Sequence, residues 1–423
     1  MSVFRKINHC RICGNKNLKE VINLGNQYIQ GSFIKKNLPK PFDKKIPLKL
    51  VLCSKCTLVQ LLHTTNKEIL YRNYWYESGI NKTMRNHLKQ LIKSIIKYKK
   101  KQNKNLNVLD IGCNDGTLLS YYPNEFNKYG IDPSQIIEKI NKKKINVIRD
   151  FFPPKKKSNK LKIQFDFITS IAMFYDLDDP NKFVKKIKYH LTKNGIWIFE
   201  LSYLIDMLKL NSFDTICHEH LEYYSLHSLN YLMKKHGLKI FEVKKNSING
   251  GSIRCFVTHE DNSNFDKINN HLLIKKMLDH EKKIRISNTY IYKNFFKEIT
   301  KIKKKLNILI KKIINKNEKI YILGASTKGN TILQFLNIDS KIIQYAVERN
   351  KEKIGAKTIG SNIKIISERE FKKNPSKYQL VLPWHFKSEI IKREKKFLKN
   401  NGNLIFPLPK IQILNKKNIN KYA

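Results

Sequence analysis

The chain has 423 residues, which exceeds one compact unit at about 150 residues per domain and predicts two or three. Hydrophobic residues at 41% and aromatics at 11% exclude wholesale disorder, even with 28% charged residues. The net charge of +49 would suit a nucleic acid or an anionic membrane, but the excess is nearly all Lys and is spread evenly with Asn and Ile, as an AT-rich genome enforces.

RNA-binding surfaces cluster their charge and favour Arg and aromatic platforms, so a solvated lysine coat is the better reading and a polyanionic partner the minor one. The start, MSVFRKINHC, offers no apolar run for a signal-peptide core, and no stretch approaches a membrane span. A soluble, cytoplasmic protein with no membrane partner is expected.

Seven cysteines stand at positions 10, 13, 53, 56, 113, 217 and 255, and the first four form two C-x-x-C pairs 39 residues apart. Each pair closes a turn that aims two thiolates at one tetrahedral Zn²⁺, so Cys10, Cys13, Cys53 and Cys56 are the predicted ligands. Gly14 supplies a positive φ after the first pair, and the basic neighbours Arg11 and Lys55 favour thiolates. Four sulfurs leave no open position, which makes the zinc structural, and a small sheet is expected to fill the gap.

Residues 106–119, LNVLDIGCNDGTLL, read as a buried strand over 108–111, a glycine turn and a helix. Gly112 and Gly116 let backbone approach a ligand, with Asn114 between them, and Asp110 closes the strand as a hydrogen-bond acceptor. G-x-G-x-x-G is absent; D-x-G-x-x-x-G fits class I S-adenosylmethionine (SAM) methyltransferases. Asp132 ends the next strand in YGIDPS, 22 residues after Asp110, where a carboxylate would grip the ribose hydroxyls. The alternative is that both acids only cap helices. FDFITSIAMFYDLDDP and LTKNGIWIFE add a fourth and a fifth strand around a helix near 180–190, completing a doubly wound α/β sheet.

Then comes FDTICHEHLEYYSL, which places His218, Glu219, His220, Glu222, Tyr223 and Tyr224 together. Imidazoles, carboxylates and phenols beside a methyl donor can remove and return protons. H-E-H lacks the i, i+4 spacing of H-E-x-x-H, so a catalytic zinc is set aside.

CRICG, CSKC, YWYESGINKTMRNH, DIGCNDGTLL, HEHLEYYSL, NGGSIRCFV, ILGASTKGNTIL and LVLPWHF together resemble the sugar C-methyltransferase family over almost the whole chain. The resemblance implies a zinc-binding N-terminal domain, a class I SAM domain and a C-terminal domain that closes over a nucleotide-linked keto-deoxysugar. It implies that His220 is the base, with Glu219 beside it, and that His218, Tyr76 and Tyr224 orient or hydrogen-bond the sugar. Ser78, Asn81, Asn249, Gly250 and Lys328 would contact the substrate. Two departures stand out: Cys217 replaces the family's Tyr before H-E-H, and SIAMFYDL lacks the histidine that many members carry after the fourth strand. Either Tyr175 or another residue compensates, or the substrate differs from the antibiotic sugars of the family.

Residues 265–318 are Lys-rich, without Gly or Pro, and place Leu272, Leu273, Met277, Ile310, Ile313 and Ile314 in helical spacing, which predicts long connecting helices. EKIYILGASTKGNTILQFL and IIQYAVERN then predict a second Rossmann-like unit whose second strand ends in Glu348; Gly324 and Gly329 make no dinucleotide fingerprint. Ser326, Thr327 and Lys328 at its helix start are phosphate contacts or simple caps. Trp384 and His385 follow a further strand, with packing as the plain role for Trp384.

The expected domains are zinc-binding (1–70), SAM-binding (71–262), a helical linker (263–318) and a C-terminal Rossmann-like domain (319–423). The leading activity is C-methylation of a nucleotide-linked keto-deoxysugar. O-methylation of a sugar or small acid is the alternative, and an RNA-binding methyltransferase is third.

Overall fold

A computed structural model of the chain describes residues 3–36, 41–71, 76–99, 105–154, 161–266, 268 and 270–419. Tyr74 and Trp75 of the Y-W-Y motif lie outside them. The central sheet holds β1 (Asn107–Ile111), β2 (Asn127–Ile131), β3 (Asn146–Ile148), β4 (Phe165–Ile171), β5 (Leu191–Ser202), β6 (Leu238–Asn246) and β7 (Ser252–His259). Across the sheet the order is β6-β7-β5-β4-β1-β2-β3, parallel from β5 to β3, with β7 antiparallel to β5 and β6.

The apolar runs of β1 and β4 follow from burial on both faces. Val108 packs in one core with Leu88, Leu91 and Ile95 of helix Lys82–Ile96, and Leu109 packs in another with Phe183 and Ile187 of helix Pro180–His190. The order reverses between β1 and β4, and a crevice opens at such a switch point beyond the strand C-termini. This is the doubly wound sheet expected from the alternation of strands and helices; the antiparallel β6–β7 pair is an addition.

A four-stranded sheet carries the cysteines. Leu18–Gln27, Ile46–Cys53 and Val59–Leu61 pair antiparallel, and Glu222–Tyr223, directly after H-E-H, joins as the fourth strand. The N-terminal sheet therefore grips the chemical segment by backbone hydrogen bonds.

Helices His271–Lys283 and Thr289–Ile314 follow. The second buries Tyr292, Phe295, Ile299, Ile302, Leu306, Ile310 and Ile313, a stripe at three- and four-residue steps. Leu272, Leu273 and Ile314, read as part of that apolar spacing, are instead exposed, because each sits beside the buried stripe on its helix.

The last sheet contains β8 (Ile320–Leu323), β9 (Tyr345–Glu348), β10 (Lys357–Thr358), β11 (Lys364–Ser367), β12 (Tyr378–Val381), β13 (Asn403–Phe406) and β14 (Gln412–Leu414), in the order β14-β13-β12-β8-β9-β11-β10. Phe33–Ile34 of the N-terminal region adds the eighth strand beside β10. The cysteine-bearing region thus touches both other units and holds them around one space.

Candidate functional site

The four predicted ligands converge. Cys10 Sγ lies 3.5 Å from Cys56 Sγ and Cys13 Sγ 3.4 Å from Cys53 Sγ, with all four sulfurs within 4.8 Å of one another. A tetrahedron with Zn–S near 2.3 Å has edges of about 3.8 Å, so the set fits zinc. Both turns have one geometry: Gly14 N–H donates to Cys10 O (3.0 Å) and Thr57 N–H to Cys53 O (3.1 Å), with φ of 73° at Gly14 and 58° at Thr57. Arg11 turns away from the sulfurs, contrary to its expected role. Its guanidinium donates to Leu61 O and Thr64 Oγ1, both at 2.7 Å, and lies 3.6 Å from Glu222, tying the knuckle to the strand beyond H-E-H.

A cavity of about 1640 Å³ occupies the space between the units. One end of it is built on β1 and β2. Asp110 is buried and accepts from Thr169 Oγ1 at 2.6 Å, and burial raises its carboxyl to about 7, with the Asp132 charge adding to the rise. Asp132 accepts from Asn114 N–H (2.9 Å) and from Ser134 N–H and Oγ–H (2.8 and 2.6 Å), which fixes it at the floor.

Gly112 has φ 76°, and a Cβ there would meet Met173 Cγ at 3.0 Å, so the turn keeps its ligand face open only as glycine. Gly116 shapes the turn against Ile140 and does not line the cavity. Asn114 also accepts from Ser78 N–H (3.0 Å) and donates to Tyr76 O (2.9 Å). The donor turn thereby positions the segment carrying Tyr76, Ser78 and Asn81, all three of which line the cavity. Asn81 also caps helix Lys82–Ile96, and Tyr76 is 44% exposed at the rim.

The other end gathers residues that are distant in sequence. His220 Nδ1–H donates to Thr215 O at 2.7 Å, which fixes the tautomer and leaves Nε2 as the free lone pair. Burial lowers its pKa to about 3, helped by the Lys328 charge, so the ring is neutral at physiological pH. Tyr175 meets this imidazole edge to face at 4.3 Å between centroids.

Glu219 is buried beside Gly31 and the Cys217 thiol, and burial raises its pKa against their hydrogen bonds. Asp176 is raised further, by burial and then by the Glu219 charge. The C-terminal unit contributes Ser326, Thr327, Lys328, Lys353 and His385 to the same lining.

Three of the implied residues stand elsewhere. His218 is fully buried, Nδ1 2.7 Å from Gln30 Oε1 and Nε2 3.2 Å from Ile46 O, and it anchors H-E-H to the N-terminal sheet. Tyr224 is fully buried and stacks on Phe174 at 5.3 Å. Gly250 (φ 88°) packs against Trp384, whose Nε1–H donates to Asp214 at 2.9 Å, while its neighbour Asn249 does face the cavity. Asp150 and Phe151 after β3, Asp176 and Lys353 also line it and were not singled out from the sequence. Only Asp150 carried a signal, as the third acid to follow a strand.

Three family models match successive parts of the chain: a zinc binding domain over residues 10–71, a methyltransferase domain over 81–243 and a C-methyltransferase C-terminal domain over 247–409. The chain is a SAM-dependent methyltransferase. The methyltransferase is 25% identical over 422 residues to C-methyltransferase NovU from Streptomyces niveus, covering 97% of this chain and 98% of that one. Among solved structures, it aligns with an S-adenosylmethionine-dependent methyltransferase from Clostridium acetobutylicum at 16% identity, covering 43% of this chain and 93% of the other, with a TM-score of 0.33. Magnesium protoporphyrin IX methyltransferase (ChlM) from Synechocystis aligns at 10% identity, with 44% and 90% coverage and a TM-score of 0.33. Among the described residues, no helix is long and apolar enough to cross a membrane.

Proposed function

We propose that this methyltransferase alkylates a carbon beside the ketone of a nucleotide-linked keto-deoxysugar, with His220 as the base. The observation that carries the reading is the His220 tautomer: Nδ1–H is spent on Thr215 O, and the bare Nε2 belongs to a ring that lines the same cavity as the donor turn. Bound SAM supplies a methyl group on a sulfonium, an electrophile that C-methylation pairs with a carbon nucleophile. Such a nucleophile forms when a base removes the proton next to a carbonyl and the resulting charge is stabilised. Asp110, Gly112, Asn114 and Asp132 would hold the donor.

Tyr76, Ser78, Asn81 and Asn249 surround the mouth as sugar contacts. Glu219 and Asp176, both lining the cavity and both raised by burial, suit the hydroxyl groups of a sugar. Ser326 and Thr327, at a helix N-terminus bordering the cavity, and Lys353 beside them suit the diphosphate of a sugar nucleotide. The free thiols of Cys113, Cys217 and Cys255 favour a reducing, cytoplasmic setting.

The test is His220→Ala. Turnover should fall by roughly a hundredfold or more while SAM affinity, read by calorimetry, stays within about twofold. Exchange of the sugar's α-proton with D₂O should vanish in the same variant. Normal exchange in His220→Ala would sink the reading, and methylation with no exchange in the unaltered enzyme would point to O-transfer.

A further inference from the structure

Resting on the enolate reading, we propose that the Lys328 ammonium holds the ketone oxygen as it becomes an enolate, which makes Lys328 a catalytic residue delivered by the C-terminal domain. Its helix, Thr327–Leu336, is docked against the segment that carries the base. Thr331, one turn on and on the same face, donates to Ile216 O at 3.3 Å, and Ile216 directly follows Thr215, whose carbonyl orients His220. Asn330 of the same helix donates to Gln30 O at 2.7 Å, and the Gln30 side chain holds His218. The helix start is therefore fixed to H-E-H from both sides.

Lys328 Nζ donates one hydrogen to Asn249 O at 2.8 Å, which aims the ammonium and leaves two N–H groups unspent. Among the described residues, no carboxylate lies within 4.0 Å of it. The nearby acid, Asp214, spends Oδ2 on Trp384 Nε1 at 2.9 Å, and its charge acts on Lys328 from beyond contact distance. Lys328 lines the same cavity as His220, and its charge lowers the pKa of both His220 and His385. Burial lowers the lysine's own pKa, which brings its N–H acidity closer to that of an enol and strengthens the bond it can offer.

In the reaction, His220 Nε2 takes the α-proton and the C–H electron pair becomes the C=C bond. The carbonyl π pair moves to oxygen, where a Lys328 N–H receives it. On methyl transfer the C=O bond reforms, the new C–C bond takes the enolate pair, and the S–CH₃ pair stays on sulfur. A positive donor placed where charge develops acts on the barrier more than on ground-state binding. Lys353, held by Ala325 O at 2.9 Å, remains for the diphosphate.

The experiment uses the full-length zinc-loaded enzyme, dTDP-4-keto-6-deoxyglucose as probe and D₂O as solvent. Lys328→Met should lower deuterium incorporation at the carbon next to the ketone by about a hundredfold, the scale of one lost oxyanion donor. The affinity of dTDP alone should stay within about threefold. Lys328→Arg, which keeps the charge, should recover at least tenfold and guards against a folding defect in the Met variant.

The acid limb of the rate profile should move to higher pH in Lys328→Met. His220 must be neutral to act, and among the groups around it, Glu219, Cys217, Asp214, His385 and Tyr175, the lysine is the cation that lowers its pKa. Retained exchange with weakened dTDP binding would make Lys328 a phosphate contact and overturn the inference. Exchange lost equally in the Met and Arg variants would also overturn it. His220→Ala separates the levels: if that variant exchanges normally, the enolate reading itself has failed, whatever Lys328 does.

Discussion

The methyltransferase contains the same turn twice, and the two copies sit in different surroundings. In the donor domain, β1 leads into Gly112, and Asp132 after β2 accepts the Asn114 N–H at 2.9 Å. In the C-terminal domain, β8 leads into Gly324, and Glu348 at the end of β9 accepts the Ala325 N–H at 2.8 Å. The backbone logic is shared, but the space around the glycines is not. A Cβ on Gly112 would reach Met173, a side chain at the edge of the cavity, whereas one on Gly324 would strike Pro383 Cδ at 2.8 Å, and one on Gly329 would strike Leu382 at 2.7 Å. The first turn stays open to a ligand. The second is packed shut by residues 382–383 and instead presents the first turn of its helix, with Lys328, to the neighbouring cavity.

The largest expected effect breaks the comparison at the glycines. Gly112→Val should abolish SAM binding by calorimetry, because a branched side chain at φ 76° both strains the turn and fills the donor space. Gly324→Val should leave SAM affinity within about threefold and appear as a lower melting temperature, since the clash is with Pro383. Equal losses of SAM binding in both variants would mean that the second turn also shapes the donor site.

Next comes the support of the acceptor end. Elemental analysis should find one zinc per chain, and Cys53→Ser should lose it. Because Glu222–Tyr223 pairs with Val59–Leu61, and Gln30 holds His218, loss of the knuckle should remove turnover while SAM affinity changes by less than about threefold. A parallel loss of SAM binding would show that the donor end is not built independently of the zinc sheet.

This division explains what could be read from the sequence. The proposed donor turn is contiguous: Asp110, Gly112, Asn114 and Asp132 fall within one strand-turn-helix-strand unit, so local pattern and local geometry coincide. The cysteine pairs are legible for the same reason. The acceptor end is assembled from residues as far apart as Tyr76, Asp176, His220 and Lys328, and nothing local announces Lys353 or Asp176. Where a chemical run is irregular, adjacency in the chain does not say where a side chain points. His218 and Glu219 both bury, one against Gln30 and the other on the cavity, and Tyr224 goes into the core. The two-residue strand Phe33–Ile34, which joins the N-terminal region to the last sheet, is too short to carry a periodic signal.

A smaller effect sharpens the comparison at the two acids. Asp132→Ala should weaken SAM binding by about 1.5–3 kcal/mol, the scale of lost charge-assisted hydrogen bonds. Glu348→Ala removes the equivalent acceptor from Ala325 N–H and from Arg349 and Asn350 N–H, and should lower stability by about 1–2 kcal/mol with SAM affinity unchanged. Chemical denaturation and calorimetry on both variants read the two quantities separately.

The smallest effect concerns Tyr224, to which family resemblance gives a place at the sugar. Its ring stacks on Phe174 at an interplanar angle of 2°, its hydroxyl is buried without a hydrogen-bond partner, and it lies outside the cavity lining. A hydroxyl buried in this way costs desolvation and returns little, so deleting it while keeping the ring should be neutral or stabilising, by about 0–1 kcal/mol. Tyr224→Phe should therefore leave kcat within about twofold and raise the melting temperature slightly. Tyr175, in contact with the His220 ring, is the informative contrast: Tyr175→Leu removes the edge that packs on the proposed base and should lower turnover by about tenfold with little change in SAM affinity. A hundredfold loss in Tyr224→Phe would mean that the phenol reaches the acceptor by a rearrangement of the core between β5 and the zinc sheet, and the acceptor end would then be less fixed than its hydrogen bonds to Thr215, Gln30 and Asn249 imply.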